Sequence, residues 1–426
     1  MLQKKSDVCH ALFPCLAVSV AVFGSAAVAQ PPGSTNPGAR PGQTPPSRLQ
    51  PLRPLVGRDS TNPGSMLKNP PKVPAGKPGD NKPADKKPAD QGGIVKPTGP
   101  ARLVYDAYQK SPEAKTEADY LAIIGMVDEA LQQGVGPEHL DYAKKLKGWA
   151  HNKRGEALLE QGKNNLALGE FEIAVEMNPD HWKARQNRGV SYAEQGKIQP
   201  AIADFSRVIQ LNPGYANAWF NRGELAFQQG DATAAVRDYS EAIRRLNTDP
   251  VYYQVRGNAY HQLRRFDNAL ADFNRAIELD GNSAATRVYR GDTHTVLGDY
   301  EQAAEDYRQA IRLNDRLGRA YQSTAWLMAT CPDERFRDSA RAVLAARKAI
   351  ELDGEKRYQY LETLAAALAA NGEYAEATKA QQKAVELAPQ SVSKAVRDRL
   401  ALYERQQPYR MKAQAMRGQW QPAGRR

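Results

Sequence analysis

The chain has 426 residues, of which 41% are hydrophobic, and its 59 Lys and Arg outnumber its 48 Asp and Glu for a net charge of +11. Pro and Gly crowd into one stretch, which excludes a single globule spanning the whole length. The charge is uneven as well: residues 30–100 and 392–426 each carry +7 while 101–391 carry −4, so the basic character belongs to the ends.

Residues 1–29 read as a secretory signal peptide, with Lys4 and Lys5 before an apolar run from Ala11 and Ala27-Val28-Ala29 before Gln30. An uncleaved membrane anchor is the alternative. Cys15 follows Leu12-Phe13-Pro14 and lacks the small residue of a lipobox, so no lipid anchor is expected. Export places the mature chain in the periplasm, outer envelope or extracellular space, and no integral membrane segment is expected after cleavage. It also removes nucleic acid as a partner for the basic ends and leaves anionic envelope polymers or lipid surfaces. Once the leader is gone Cys331 is the remaining cysteine, which rules out an intramolecular disulfide.

Residues 30–100 are rich in Pro and Lys, repeat STNPG at 34–38 and 60–64, and offer almost no aromatic surface to bury. The expectation is a disordered linker with polyproline-II character.

Glycines at 155, 189, 223, 257 and 291 are spaced 34 residues apart. Behind them the same register carries Ala167, Ala201, Ala235, Ala269 and Ala303, and the aromatics Phe171, Phe205, Tyr239, Phe273 and Tyr307. A fixed period of this length marks stacked helical pairs. The segments AWFNRGELAFQQGDATAAVRDYSEAI and ARQNRGVSYAEQGKIQPAIADFSRVIQLNP resemble the tetratricopeptide repeat, and the resemblance covers 148–391. It implies an all-α chain: a right-handed superhelical solenoid of seven helical hairpins preceded by the disordered Pro-rich tail. The sixth repeat has Ala325 where glycine is due, and its Ala342, Ala346 and Ala349 fall five residues late, so an insertion separates its two helices. Pro332 stops the first of these helices, and Asp338 or Ser339 can cap the second. A capping helix and a basic tail occupy 392–426. The combination of AWLMATCPD, an Ala-rich seventh repeat and a final PYR is similar to one group of exported bacterial repeat proteins, which implies an interaction protein and no particular activity. The stretch YDAYQKSPEAKTEADYLAIIGMVDEAL resembles that group's N-terminal helical cap, which implies an atypical repeat over 101–147.

No catalytic, cofactor-binding or metal-ligating constellation emerges. The histidines of the mature chain are scattered, and the EQGK turns at Gly162 and Gly196 lack the remaining residues of a phosphate loop. Cys331 has no His or carboxylate at a triad or ligand spacing and is expected to be a packing residue, a thiol crosslinking two copies being the alternative. No enzyme activity and no cofactor are expected.

Two sets of residues are singled out. Arg154, Arg188, Arg222, Arg256 and Arg290 precede the repeat glycines, while Glu170, Asp204, Asp238, Asp272 and Asp306 precede the aromatics. Both are lost together in repeats six and seven, so they predict an ion-pair ladder within or between repeats worth no more than about 1 kcal/mol per partly exposed rung. A ligand-binding row of arginines is the alternative. The second set comes from the resemblance, which implies a concave groove lined by the first helix of each repeat. By register its residues are Trp149, Asn152 and Glu156, then Lys183, Gln186 and Glu194, then Asn217, Phe220, Glu224 and Phe227, then Gln254, Asn258 and His261, and finally Asp292. Phe220 and Phe227 are expected either to anchor an extended peptide or to pack between repeats. The Lys and Asn pattern that clamps a terminal carboxylate is absent. The expected function is a non-catalytic, exported scaffold or adaptor that holds a protein or extended peptide in the groove. The alternative is an envelope tether whose basic tails bind anionic polymer or lipid.

Overall fold

The computed structural model describes residues 97–390 and 392–412. The leader, most of the Pro-rich segment and the last basic residues lie outside the described residues. Among those described, the chain forms seventeen α-helices and no strand.

Three helices come first: α1 (Pro100–Lys110), α2 (Glu117–Gln132) and α3 (Pro137–Glu160). Thr116 starts α2 with a reciprocal cap, its hydroxyl accepting from the Asp119 amide while its own amide donates to the Asp119 carboxylate at 2.9 Å. Pro137 opens α3, where a missing N–H costs nothing. Ile123, Val127, Leu146 and Trp149 bury the faces of α2 and α3 in one cluster. The boundary expected at 147/148 falls inside α3, which runs on unbroken because nothing there interrupts its hydrogen bonds; Gly148 instead brings the helix close to the Ala174 carbonyl. The N-terminal cap and the first repeat therefore share a helix.

From there the helices pair as hairpins. α3 packs on α4 (Asn164–Met177), α5 (Trp182–Glu194) on α6 (Ile198–Leu211), α7 (Ala216–Gln228) on α8 (Ala232–Arg245), and α9 (Pro250–Gln262) on α10 (Phe266–Leu279). α11 (Ala284–Leu297) packs on α12 (Tyr300–Leu313), α13 (Gly318–Thr330) on α14 (Ser339–Asp353), and α15 (Tyr358–Ala370) on α16 (Tyr374–Leu387). α17 (Ser393–Glu404) closes the array against α16. Each second helix also meets the first helix of the next pair, so the core is continuous along a solenoid.

The period has a steric cause. A Cβ added to Gly155, Gly189, Gly223, Gly257 or Gly291 would lie 2.5–2.8 Å from the ring of the aromatic sixteen residues on. The glycine therefore leaves room for a ring that is 0–2% exposed in every case. Where Ala325 and Ala365 replace it, the ring positions hold Ala346 and Gln381. The turns add a second constraint. Gly162, Gly196, Gly230 and Gly298 take φ of +73° to +85°, and the fourth hairpin places Arg264 there at +60°.

The sixth hairpin differs in its connection. α13 ends at Thr330, a 3-10 turn occupies Glu334–Phe336, and Asp338 caps α14 by accepting from the Arg341 amide at 2.9 Å.

Gly257→Ala is expected to destabilise the chain by about 1–3 kcal/mol through overpacking against Phe273. Gly169→Ala, in a helix with nothing near the added methyl, is expected to raise stability by up to about 1 kcal/mol. Urea unfolding of the two variants checks the contrast, and equal effects contradict it.

Candidate functional site

The arginine and acid columns meet inside each hairpin. Arg188 grips Asp204 through two hydrogen bonds of 2.8 Å, Arg222 grips Asp238 at 2.7 and 2.8 Å, Arg256 grips Asp272 at 2.8 Å twice, and Arg290 grips Asp306 at 2.6 and 2.8 Å. Glu170 is shared by Arg154 and His151, each at 2.7 Å. A further N–H of three of these arginines reaches back sixteen residues to the preceding hairpin, at Ser206, Ser240 and Asn274. The rungs thus bond within repeats and between them. Their acid ends are only 2–8% exposed, so the cost of losing an arginine exceeds that of an ordinary surface pair. Burial raises the Asp272 carboxyl despite the guanidinium of Arg256. Aromatic rings lie beside the cations, with Arg222 and Arg245 both over Trp219.

The first-helix positions look different from an open groove. Phe220 is fully buried, stacked on Tyr252 at 5.3 Å and beside Tyr239 at 6.2 Å, and Phe227 is 8% exposed in the same cluster. Of the two expectations for these rings, the burial fits packing between neighbouring repeats and not a peptide anchor. Trp149 is likewise buried, edge-on to Tyr120. Asn152, Lys183, Gln186, Glu224 and Gln254 are each at most 5% exposed, so they do not offer a free polar surface. The reason is that successive first helices lie close enough for polar side chains to bond one another.

These bonds form a chain along the array. Asn187 donates to Asn152, which donates to Glu156 at 2.8 Å. Tyr252 donates to Asn217, and Tyr239 donates to Glu224 within its own repeat. Thr286 donates to Gln254 at 2.8 Å. Asp292 accepts from Tyr307 at 2.9 Å, Ser323 at 2.9 Å and Arg319 at 2.6 Å, which commits it to the fold. Sequence reasoning missed the partners Thr286, Arg319 and Ser323. The signal was their spacing, 27 to 32 residues beyond the groove residue, close to one period.

Other candidate positions are less buried. Glu194 is exposed, and Asn258 and His261 are half-buried. The Thr293 hydroxyl donates to the Tyr289 carbonyl, so the His261 Nδ1 at 2.9 Å must donate to Thr293 and leave Nε2 as the acceptor. Burial lowers the His261 pKa, which favours the neutral ring. Gln254, two turns before His261, has a buried Nε2 with no hydrogen-bond partner. Gln254, Asn258 and His261 share one face of α9.

Cys331 is fully buried among Val288, Leu327 and Tyr307, and burial pushes its thiol up, away from nucleophilic reactivity. His261 and His294 bond Thr293 and Asp299 respectively. No group of three metal-ligating side chains comes together among the described residues.

Arg222→Leu alone is expected to cost about 1.5–3 kcal/mol, because it strands a buried carboxylate. Adding Asp238→Ala should recover part of that loss. A double-mutant cycle from denaturant unfolding checks it, and a coupling of zero removes the ladder.

The chain matches tetratricopeptide repeat models at 152–216, 187–250, 250–283, 290–317 and 358–391, with the inserted sixth hairpin between the last two. It is similar to solved structures of a tetratricopeptide repeat protein from Parabacteroides merdae (18% identity, 60% of this chain and 98% of that one, TM-score 0.48) and of MamA from Desulfovibrio magneticus (18%, 39% and 95%, 0.38). It is also similar to YrrB, described as a repeat protein with an unusual peptide-binding site (16%, 46% and 95%, 0.39). A comparison with curated proteins finds no match. With the 34-residue period, the paired helices and the matched repeats in agreement, the chain is a tetratricopeptide repeat protein.

Proposed function

We propose that the chain is a non-catalytic scaffold, exported to the periplasm or outer envelope, that holds an extended peptide segment of a protein partner on the face of α9. The observation that carries the reading is the pair Asn258 and His261, half-buried three residues apart on one face of α9, with His261 Nε2 left as an acceptor. One helical turn separates them. A peptide backbone, which alternates C=O and N–H, matches the His261 acceptor and the Asn258 amide, which can serve as donor or acceptor. The expected apolar anchor in Phe220 and Phe227 has no part in this version, so recognition rests on main-chain hydrogen bonds.

The Asn258→Ala/His261→Ala variant tests it. The parent protein, used as bait on an envelope extract, should retain a protein that the variant loses while both show the same circular dichroism. Identical retention contradicts the reading. The alternative, a tether whose two basic ends bind anionic polymer or lipid, draws support from the +7 carried by each end. It differs in its salt response: binding through the ends falls steeply with ionic strength and ignores the α9 substitutions.

A further inference from the structure

α17 ends in a turn that redirects the chain. Gln406 takes φ of +57°, its amide and that of Gln407 bond back to Tyr403 and Leu402, and Pro408 prevents the helix from resuming. The next residues run back across the array to the sixth hairpin.

The segment makes three specific contacts there. The ring of Tyr409 lies 5.8 Å from that of Trp326 and 5.0 Å from the guanidinium of Arg399. The guanidinium of Arg410 donates to the Ala329 carbonyl at 2.7 Å, and the Met411 amide donates to the Thr330 carbonyl at 2.8 Å. These carbonyls belong to the last turn of α13, which Pro332 prevents from continuing, so they have no partner within the helix. A cation there also meets the negative end of the helix dipole. Arg337 from the inserted loop covers the next two carbonyls, Cys331 and Pro332, and the Asp338 amide covers Met328. The insertion and the C-terminal segment together cap one helix end.

The register shows what this segment covers. Trp326 lies one period after Asp292, two after Asn258 and three after Glu224; Ala329 lies two periods after His261; Thr330 lies four after Glu194. Tyr409, Arg410 and Met411 therefore sit on the positions that elsewhere form the candidate partner face. They do so in the manner of a bound peptide, through an aromatic anchor, an arginine and a main-chain hydrogen bond.

We propose that Pro408–Met411 is a built-in ligand occupying a peptide site formed by Trp326, Arg399 and the carbonyl end of α13, and that this site accepts extended segments in which an aromatic residue precedes an arginine. While the segment is seated, the partner face ends at the fifth repeat; its departure extends that face by the sixth. The proposal goes beyond the α9 reading and does not depend on it.

The test uses the full chain and a free peptide of residues 406–412. Tethering gives the segment an effective concentration of about 1 mM, so a site that is nine-tenths occupied corresponds to a Kd for the free peptide of about 0.1 mM or tighter. In an NMR titration, a full-length Tyr409→Ala/Arg410→Ala variant should bind the peptide about tenfold more tightly than the parent, whose site is filled. A peptide carrying the same two alanines should not bind the variant. Equal binding to parent and variant, or no binding to the variant at millimolar peptide, overturns the proposal. Amide exchange in the parent gives a second reading that needs no variant. The Met411 amide should exchange at least about tenfold more slowly than in the free peptide, consistent with its hydrogen bond. Exchange at the free-peptide rate overturns the proposal as well.

Discussion

The contact between a glycine on the first helix and an aromatic ring sixteen residues later sets the geometry on which the remaining features rest. With no side chain at Gly189, the ring of Phe205 lies against the helix backbone, and the two helices approach closely enough for Arg188 and Asp204, the immediately preceding residues, to meet in a two-pronged hydrogen bond. The steric fit and the ion pair are therefore one unit repeated every 34 residues. Where the fit is lost, in hairpins six and seven, the pair is lost too, and alanine-rich packing of Ala325, Ala346 and Ala366 takes its place.

That close stacking decides how much surface is left for a partner. First helices of adjacent repeats approach until their polar side chains satisfy one another, as Asp292 does with Ser323 and Arg319. Unsatisfied polar groups in such a seam are costly, and Gln254 Nε2 and Trp149 Nε1 are among the buried atoms that lack a hydrogen-bond partner. The far end of the same face is occupied by the chain itself. Most of the positions expected to line a groove are buried or bonded to a neighbouring repeat, and Tyr409–Met411 lie against the last turn of α13.

The helical hairpins were legible in the sequence because their cause is local and periodic: a glycine, a ring and a small residue recur at fixed offsets, and any one copy predicts the others. Periodicity also pairs Arg222 with Asp238, since both columns disappear together. The choice between anchoring and packing for Phe220 was not legible, because the groove register is defined relative to one repeat, whereas the ring packs against Tyr252 of the next. The same limit hid Arg319 behind Asp292. The role of Tyr409 was out of reach for a different reason: it lies 83 residues from Trp326, outside any repeat register, and no offset links the two. The insertion around Cys331 showed in the sequence as a broken period, but not that the C-terminal segment and Arg337 bond the carbonyls of the helix end it leaves.

The dependence of the hairpin on the glycine and ring is tested most directly by a double-mutant cycle of Gly189→Ala with Phe205→Leu, read by urea unfolding. Each change alone should destabilise, the first by crowding the ring and the second by leaving a void. If the contact governs the hairpin, the double variant should be more stable than the sum of the single losses predicts, by about 1 kcal/mol or more, because leucine vacates the space that the new methyl needs. Strictly additive losses would contradict the account.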